Sequence, residues 1–128
     1  MRFARSAVDR GMACAVATIF LGPLASHAAG DPAAGKRTFA ECAGCHSISP
    51  GVNKIGPSLS GVVGRKSGTA TGYRYSPGMA TANVTWDDAT LDRFLASPTG
   101  FAHGTKMFFS VPGGADRQNV IAYLNTLK

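Results

Sequence analysis

One pentapeptide limits what this 128-residue chain can become more than its size or composition does: Cys42-Ala43-Gly44-Cys45-His46. Two thiols three positions apart, followed at once by an imidazole, form the attachment signature of c-type haem. Each thiol can add across a vinyl group on the same porphyrin edge, which holds the adjacent His46 where its ring meets the iron. Met107, in Gly104-Thr105-Lys106-Met107, is the candidate second ligand for that iron. The expected cofactor is therefore one covalently bound haem c, with Cys42, Cys45, His46 and Met107 as its binding residues and His46 and Met107 as the metal ligands. Other uses of the thiol pair fit less well. A redox-active disulfide wants a βαβ setting, and no alternating or β-branched run precedes Cys42. Structural zinc needs four ligands, whereas downstream of Cys42 only Cys45, His46 and His103 remain, without paired spacing.

Residues 1–28 read as a secretory signal peptide. Arg2, Arg5 and Arg10 make a positive start, Gly11 to Leu24 is mostly apolar, and Ser26-His27-Ala28 offers a small-residue cleavage point. The apolar stretch falls short of the roughly 20 residues that span a bilayer, with an uncleaved anchor as the alternative. Cys14 lies inside this segment as apolar filler, so both remaining cysteines are committed to haem and a periplasmic location is expected. Residues 29–128 then form one domain, with ten Lys and Arg against six acids, a net of +4. A domain of that size buries only a modest core, so the macrocycle is expected to complete it, and the haem-free chain to be largely unfolded. Mild basic charge favours acidic docking partners. Nucleic acid is excluded as a partner, because Lys36, Arg37, Lys54, Arg65, Lys66, Arg74 and Lys106 are scattered, with no basic run or aromatic interleaving.

Along the chain, Asp31-Pro32 opens a helix that should reach about Cys42, with Gly35, Phe39 and Cys42 on one face. Glycine on an inward face marks close approach by another element. The expected partner is a terminal helix over Ala115 to Leu127, where Val120, Ile121, Tyr123, Leu124 and Leu127 form an apolar stripe, crossing at Gly35. Ser47 to Thr71, rich in Gly, Pro and Ser, reads as a loop wrapped around a ligand. Thr85 to Asp88 has the Thr-x-x-acid spacing of a capping box ahead of Leu91, Phe94 and Leu95, and Pro98 should stop that helix near Ser97. Thr99 to Gly114 shows no periodicity. Without repeats or strand pairs, the class is all-α with long loops.

These residues in this order resemble a class I cytochrome c of the small soluble bacterial type, over Gly30 to Lys128. Beyond the pentapeptide, the likeness rests on Gly35 with Phe39, Gly56-Pro57-Ser58-Leu59, Gly64-Arg65-Lys66-Ser67-Gly68, Tyr73-Arg74-Tyr75-Ser76, Thr85-Trp86, Gly104 to Phe109 and Ile121-Ala122-Tyr123-Leu124. The resemblance implies the class I cytochrome c fold, with N- and C-terminal helices crossing and long haem-wrapping loops. It implies that Cys42 and Cys45 carry the thioethers, that His46 and Met107 are axial ligands, and that the Pro57 carbonyl supports His46. Arg65, Tyr75 and Trp86 would surround a buried propionate, and Phe109 would pack by the exposed haem edge. The implied function is electron transport by a monomeric periplasmic carrier, not an enzyme and without a small-molecule substrate. It would dock transiently with a quinol-oxidising cytochrome complex as donor and a terminal oxidase or photosynthetic reaction centre as acceptor. A peroxidase-like enzyme or gas-binding protein with a labile sixth ligand is the alternative. Two positions depart from the family pattern: His103 replaces a common proline four residues before Met107, and Phe94 replaces a frequent tyrosine. His103 is thus a rival ligand, favoured less than Met107, and Met79 is read as core packing.

Overall fold

Asp31 begins the first helix as its pattern requires: its carboxylate accepts from the Ala33 N–H at 2.9 Å, and Pro32 takes the first helical position. A computed structural model describes residues 29–128 of the protein, so the signal-peptide reading of residues 1–28 lies outside the described residues. Helix α1 spans Pro32–Thr38 and tightens into a 3₁₀ turn, Phe39–Glu41, that ends on Cys42. At the other end of the chain, α5 spans Gly114–Leu124 and buries Val120, Ile121 and Leu124. The two helices cross where expected. A Cβ built on Gly35 would stand 1.9 Å from the Asn119 carbonyl oxygen, and one on Gly30 would stand 2.0 Å from that of Gln118. Asn119 Oδ1 also accepts from the Asp31 N–H at 2.8 Å, and the Phe39 and Tyr123 rings meet with centroids 5.2 Å apart.

The middle helix corrects one expectation. Helix α3 spans Asp88–Ala96, but its capping box is formed by Asp87 and Thr90, not by Thr85 and Asp88. The Asp87 carboxylate accepts from the Thr90 N–H at 2.7 Å, while the Thr90 hydroxyl oxygen accepts from the Asp87 N–H at 2.8 Å. Those bonds from Thr90 hold the Asp87 carboxyl below the usual range. Thr85 is unavailable as a cap because its backbone pairs antiparallel with Lys66 in an isolated bridge. Gly64 donates to the Trp86 carbonyl and Trp86 to that of Arg65, so the wrapping loop is fastened to the start of α3. Leu91, Phe94 and Leu95 form the buried face of α3, as the spacing indicates.

Two short helices escape a reading based on periodicity. Helix α2 is Pro77–Ala80 and α4 is Pro98–Phe101, each four residues long, which is too short to show a 3.6-residue repeat. Their signal is chemical instead. Ser76 and Ser97 each accept from the backbone N–H three residues on, and the following proline sits at the first helical position. Pro98 therefore ends α3 as expected and also begins α4. Among the described residues no strand forms, and Ser47 to Thr71 contains no helix, so the architecture is all-α with long loops.

Replacing Gly35 by Ala should break the α1–α5 contact, because backbone faces backbone there and no rotamer change can relieve the overlap. The expected loss in unfolding free energy of the haem-loaded protein is on the order of 3 kcal/mol, read by urea denaturation; an unchanged midpoint would refute the crossing.

Candidate functional site

The 3₁₀ turn delivers the pentapeptide to the edge of the core. Cys42 N–H and Ala43 N–H both donate to the Phe39 carbonyl, and Cys45 and His46 N–H both donate to that of Cys42, at 2.8 to 3.0 Å. This coils the segment so that Cys42 is half-buried, Cys45 exposed and His46 half-buried. Both cysteines are free thiols. Burial, with Glu41 and Cys45 adding to it, pushes the Cys42 thiol up from its ordinary value, so it rests protonated.

Gly56 N–H donates to the Cys45 carbonyl at 2.7 Å and brings the next turn against the His46 ring. There His46 Nδ1 lies 2.7 Å from the Pro57 carbonyl oxygen. A carbonyl can only accept, so Nδ1 carries the proton and Nε2 keeps its lone pair. Burial lowers the His46 pKa, and the charges of Lys54 and Arg65 act in the same direction while the Pro57 bond opposes them. A neutral imidazole with its tautomer fixed is the form that binds a metal. Gly56 is required for this closeness, since a Cβ there would fall 2.4 Å from Cε1 and 2.7 Å from Nδ1 of His46.

Met107 reaches the same site from the other loop. After α4 the chain turns at Gly104, whose φ of +74° favours glycine, and buried Thr105 donates its N–H to the Ala102 carbonyl at 3.1 Å. The Thr105 hydroxyl then accepts from the Met107 N–H at 3.3 Å. Cys42, Cys45, His46 and Met107 all line one cavity of about 360 Å³, walled by apolar side chains that include Leu59, Val62, Trp86, Phe94, Leu95 and Val120. His103 is exposed and is not part of the lining, so the rival ligand is set apart from the site. Met79, read as packing, is buried in the core and also forms part of the wall. Among the described residues no three His, Cys, Asp or Glu side chains gather as a metal site.

Arg65 supplies the most telling polar feature. Its Nη2 donates to the Ser58 carbonyl at 2.9 Å and its Nη1 to that of Ser60 at 3.3 Å, but its Nε is buried with no partner. A buried cationic donor left unpaired is costly unless an acceptor arrives. Arg65, Tyr75 and Trp86 all line the cavity. An apolar hollow with one orphaned guanidinium donor, two thiols and a lone-pair imidazole on its walls fits a flat apolar macrocycle bearing carboxylates and an iron. Sequence reasoning gave no role to two rim residues, Ile55 and Phe108, which are 74% and 81% exposed while lining the same cavity. Both sit in aperiodic loops, so nothing in the hydrophobic pattern marks them.

This build defines a class, the all-helical proteins that carry covalently attached haem. The cytochrome c family model matches residues 32–128. Cytochrome c2 of Rhodoblastus acidophilus is 47% identical over 102 residues, covering 78% of this chain and 95% of that protein. Cytochrome c of Euglena viridis is 46% identical over 101 residues, covering 77% and 99%. Among solved structures, cytochrome cH from Methylobacterium extorquens superposes with a TM-score of 0.72 at 42% identity, covering 76% of this chain and 99% of that one. The chain belongs to the cytochrome c family, which binds covalently attached haem c, and it is a single-haem electron carrier.

Substituting Ala at Gly56 should push the His46 ring off the Pro57 carbonyl. Matched expressions should then give less haem-loaded protein, with a lower thermal midpoint; equal yield and midpoint would show that the ring does not depend on that gap.

Proposed function

We propose that Cys42 and Cys45 would hold the haem through thioethers and that His46 and Met107 would be the ligands to its iron. On this reading residues 1–28 are removed as a signal peptide and residues 29–128 work in the periplasm as a monomer. They carry electrons from a quinol-oxidising cytochrome complex to a terminal oxidase or photosynthetic reaction centre. The observation that carries the reading is the meeting of a tautomer-fixed imidazole and a thioether on the walls of one apolar cavity.

When bound, the haem supplies one-electron redox chemistry. The chain's own residues set its conditions. The Pro57 carbonyl keeps the His46 lone pair available, and Thr105 holds the backbone of Met107 in place. A soft sulfur ligand and an apolar wall both favour the less charged ferrous state, which raises the reduction potential. Arg65 Nε is available to a propionate. No acid, base or nucleophile is required, in keeping with a carrier.

The rim suits brief docking. Ile55, Phe108 and Phe109 present exposed apolar surface around the cavity, and exposed Lys54, Arg74 and Lys106 lie in the segments beside them. A partner with an apolar centre and an acidic surround would match this, and a small contact of that kind releases quickly. No described helix is long and apolar enough to cross a membrane.

Two measurements test the proposal. Wild-type and Met107→Ala proteins, expressed with haem maturation, should differ in the ferric state: only the wild type should show the long-wavelength sulfur-to-iron charge-transfer band and resist carbon monoxide when reduced. A wild type that binds carbon monoxide readily at neutral pH would sink the ligand assignment. In stopped-flow reaction with a purified quinol-oxidising complex, the second-order rate should fall as ionic strength rises, and a rate indifferent to salt would count against charge-guided docking.

A further inference from the structure

Five of the six carboxylates in residues 29–128 are committed to the fold. Asp31 and Asp87 cap α1 and α3, Asp88 accepts from Asn125 Nδ2 at 2.9 Å, and Asp92 pairs with Arg117 at 2.8 Å. Asp116 stands in the first turn of α5, where exposed N–H groups favour an anion. Glu41 is the exception. It ends the 3₁₀ turn that continues α1, at the carbonyl end of that run, where a cation is favoured and where Lys36 and Arg37 in the last turn of α1 follow the rule.

Glu41 is exposed and lines the cavity, which none of the other five carboxylates does. Among the described residues the one ion pair joins Arg117 to Asp92, so Glu41 stands in solvent with no cation against it. A charge that helix electrostatics disfavours, with no bond in the fold to offset the cost, has its use outside the fold. The cations nearby are held in place: Lys54 Nζ donates to the Ala43 carbonyl, two residues past Glu41, and Lys106 Nζ to the Arg74 carbonyl at 2.6 Å. The mouth of the cavity therefore presents a two-signed pattern, negative at the start of the attachment segment and positive at Lys54 and Lys106.

We propose that Glu41 determines docking specificity by pairing with a cation on the redox partner, whose surface is then basic opposite Glu41 and acidic opposite Lys54 and Lys106. The inference rests on the docking reading given above. Contacts of opposite sign on one small face fix the rotation of one protein against the other, and a wholly acidic partner is penalised at Glu41 by like-charge repulsion. Attraction governed by net charge alone makes the contrary demand, since neutralising Glu41 would then speed the encounter.

The experiment compares haem-loaded wild type, Glu41→Gln, Glu41→Asp and Ala33→Lys. The last adds one positive charge at an exposed α1 position outside the cavity, the same net change as Glu41→Gln. In stopped-flow reaction with a purified quinol-oxidising complex at low ionic strength, Glu41→Gln should react about threefold more slowly than wild type, the size of one exposed ion pair. Glu41→Asp should stay close to wild type, and Ala33→Lys should be no slower than wild type. Oxidation of the reduced proteins by hexacyanoferrate(III), a small anion that senses charge near the haem edge, should reverse the order, with Glu41→Gln faster than Ala33→Lys. A Glu41→Gln protein as fast as Ala33→Lys with the complex, while salt still slows the wild type, would overturn the pairing and leave charge-guided docking in place. Rates with the complex that ignore both salt and these substitutions would overturn the docking reading, and the pairing with it. Equal hexacyanoferrate rates in the two variants would put the Glu41 charge away from the mouth and overturn the pairing likewise.

Discussion

The bond between His46 Nδ1 and the Pro57 carbonyl is the constraint on which the site is built. It joins two segments that share no secondary structure, the coil after the 3₁₀ turn and the Gly56-Pro57 turn, and fixes the imidazole's rotation and tautomer in one contact. Its length is possible because Gly56 has no side chain, and its direction because the Cys45 carbonyl takes the Gly56 N–H. Proline at position 57 has no N–H to compete, but its carbonyl remains a full acceptor. A lone pair is thus kept free on His46 Nε2 by backbone atoms, which cannot titrate.

The apolar framework serves a hollow more than a core. Helices α1 and α5 approach closely at Gly35, yet several of the buried residues that the 3₁₀ turn, α3 and α5 supply, Phe39, Leu91, Phe94, Leu95, Val120 and Leu124, also line the cavity. In a domain of about a hundred residues the apolar surface available is small, and placing much of it around an open space is destabilising unless an apolar body fills that space. The unpaired Arg65 Nε adds a polar debt of the same kind. Both deficits are met by a single group with apolar faces and carboxylate edges, which is why the chain's economy and its cofactor belong to one argument.

How much of this the sequence discloses follows from the range of each signal. The glycine at position 35 and the stripe of α3 are short-range patterns with one physical meaning each, and the structure places them as read; α5 buries Val120, Ile121 and Leu124 as expected but ends at Leu124, so Leu127 lies beyond the helix. The shift of the α3 cap from Thr85 to Asp87 was hidden because Thr85 is claimed by a partner nineteen residues earlier, Lys66. Helices α2 and α4 lie below the length at which periodicity can be seen, although their Ser-Pro starts are readable once capping is considered. Arg65 is reached in the sequence only through the family resemblance; its unpaired nitrogen is a property of three-dimensional packing that no spacing encodes. The anchoring roles of Lys54 and Lys106 are equally invisible in one dimension, since an exposed lysine looks alike whether or not it meets a distant carbonyl.

An electron carrier needs ligands that keep their places in both oxidation states, and here the loops that hold the proposed ligands, His46 and Met107, contain almost no regular structure. Rigidity comes from side chains that bond backbone carbonyls: Lys54 to Ala43, Tyr73 to Ile55, Arg65 to Ser58 and Ser60, Lys106 to Arg74. Each such bond closes a loop that glycine and proline have already bent, so little further entropy is lost in fixing it. The division of labour is physical. Helices supply apolar wall, where area matters and position is tolerant, while cross-loop bonds supply placement, where a shift of a fraction of an ångström would alter the iron's surroundings with every transfer.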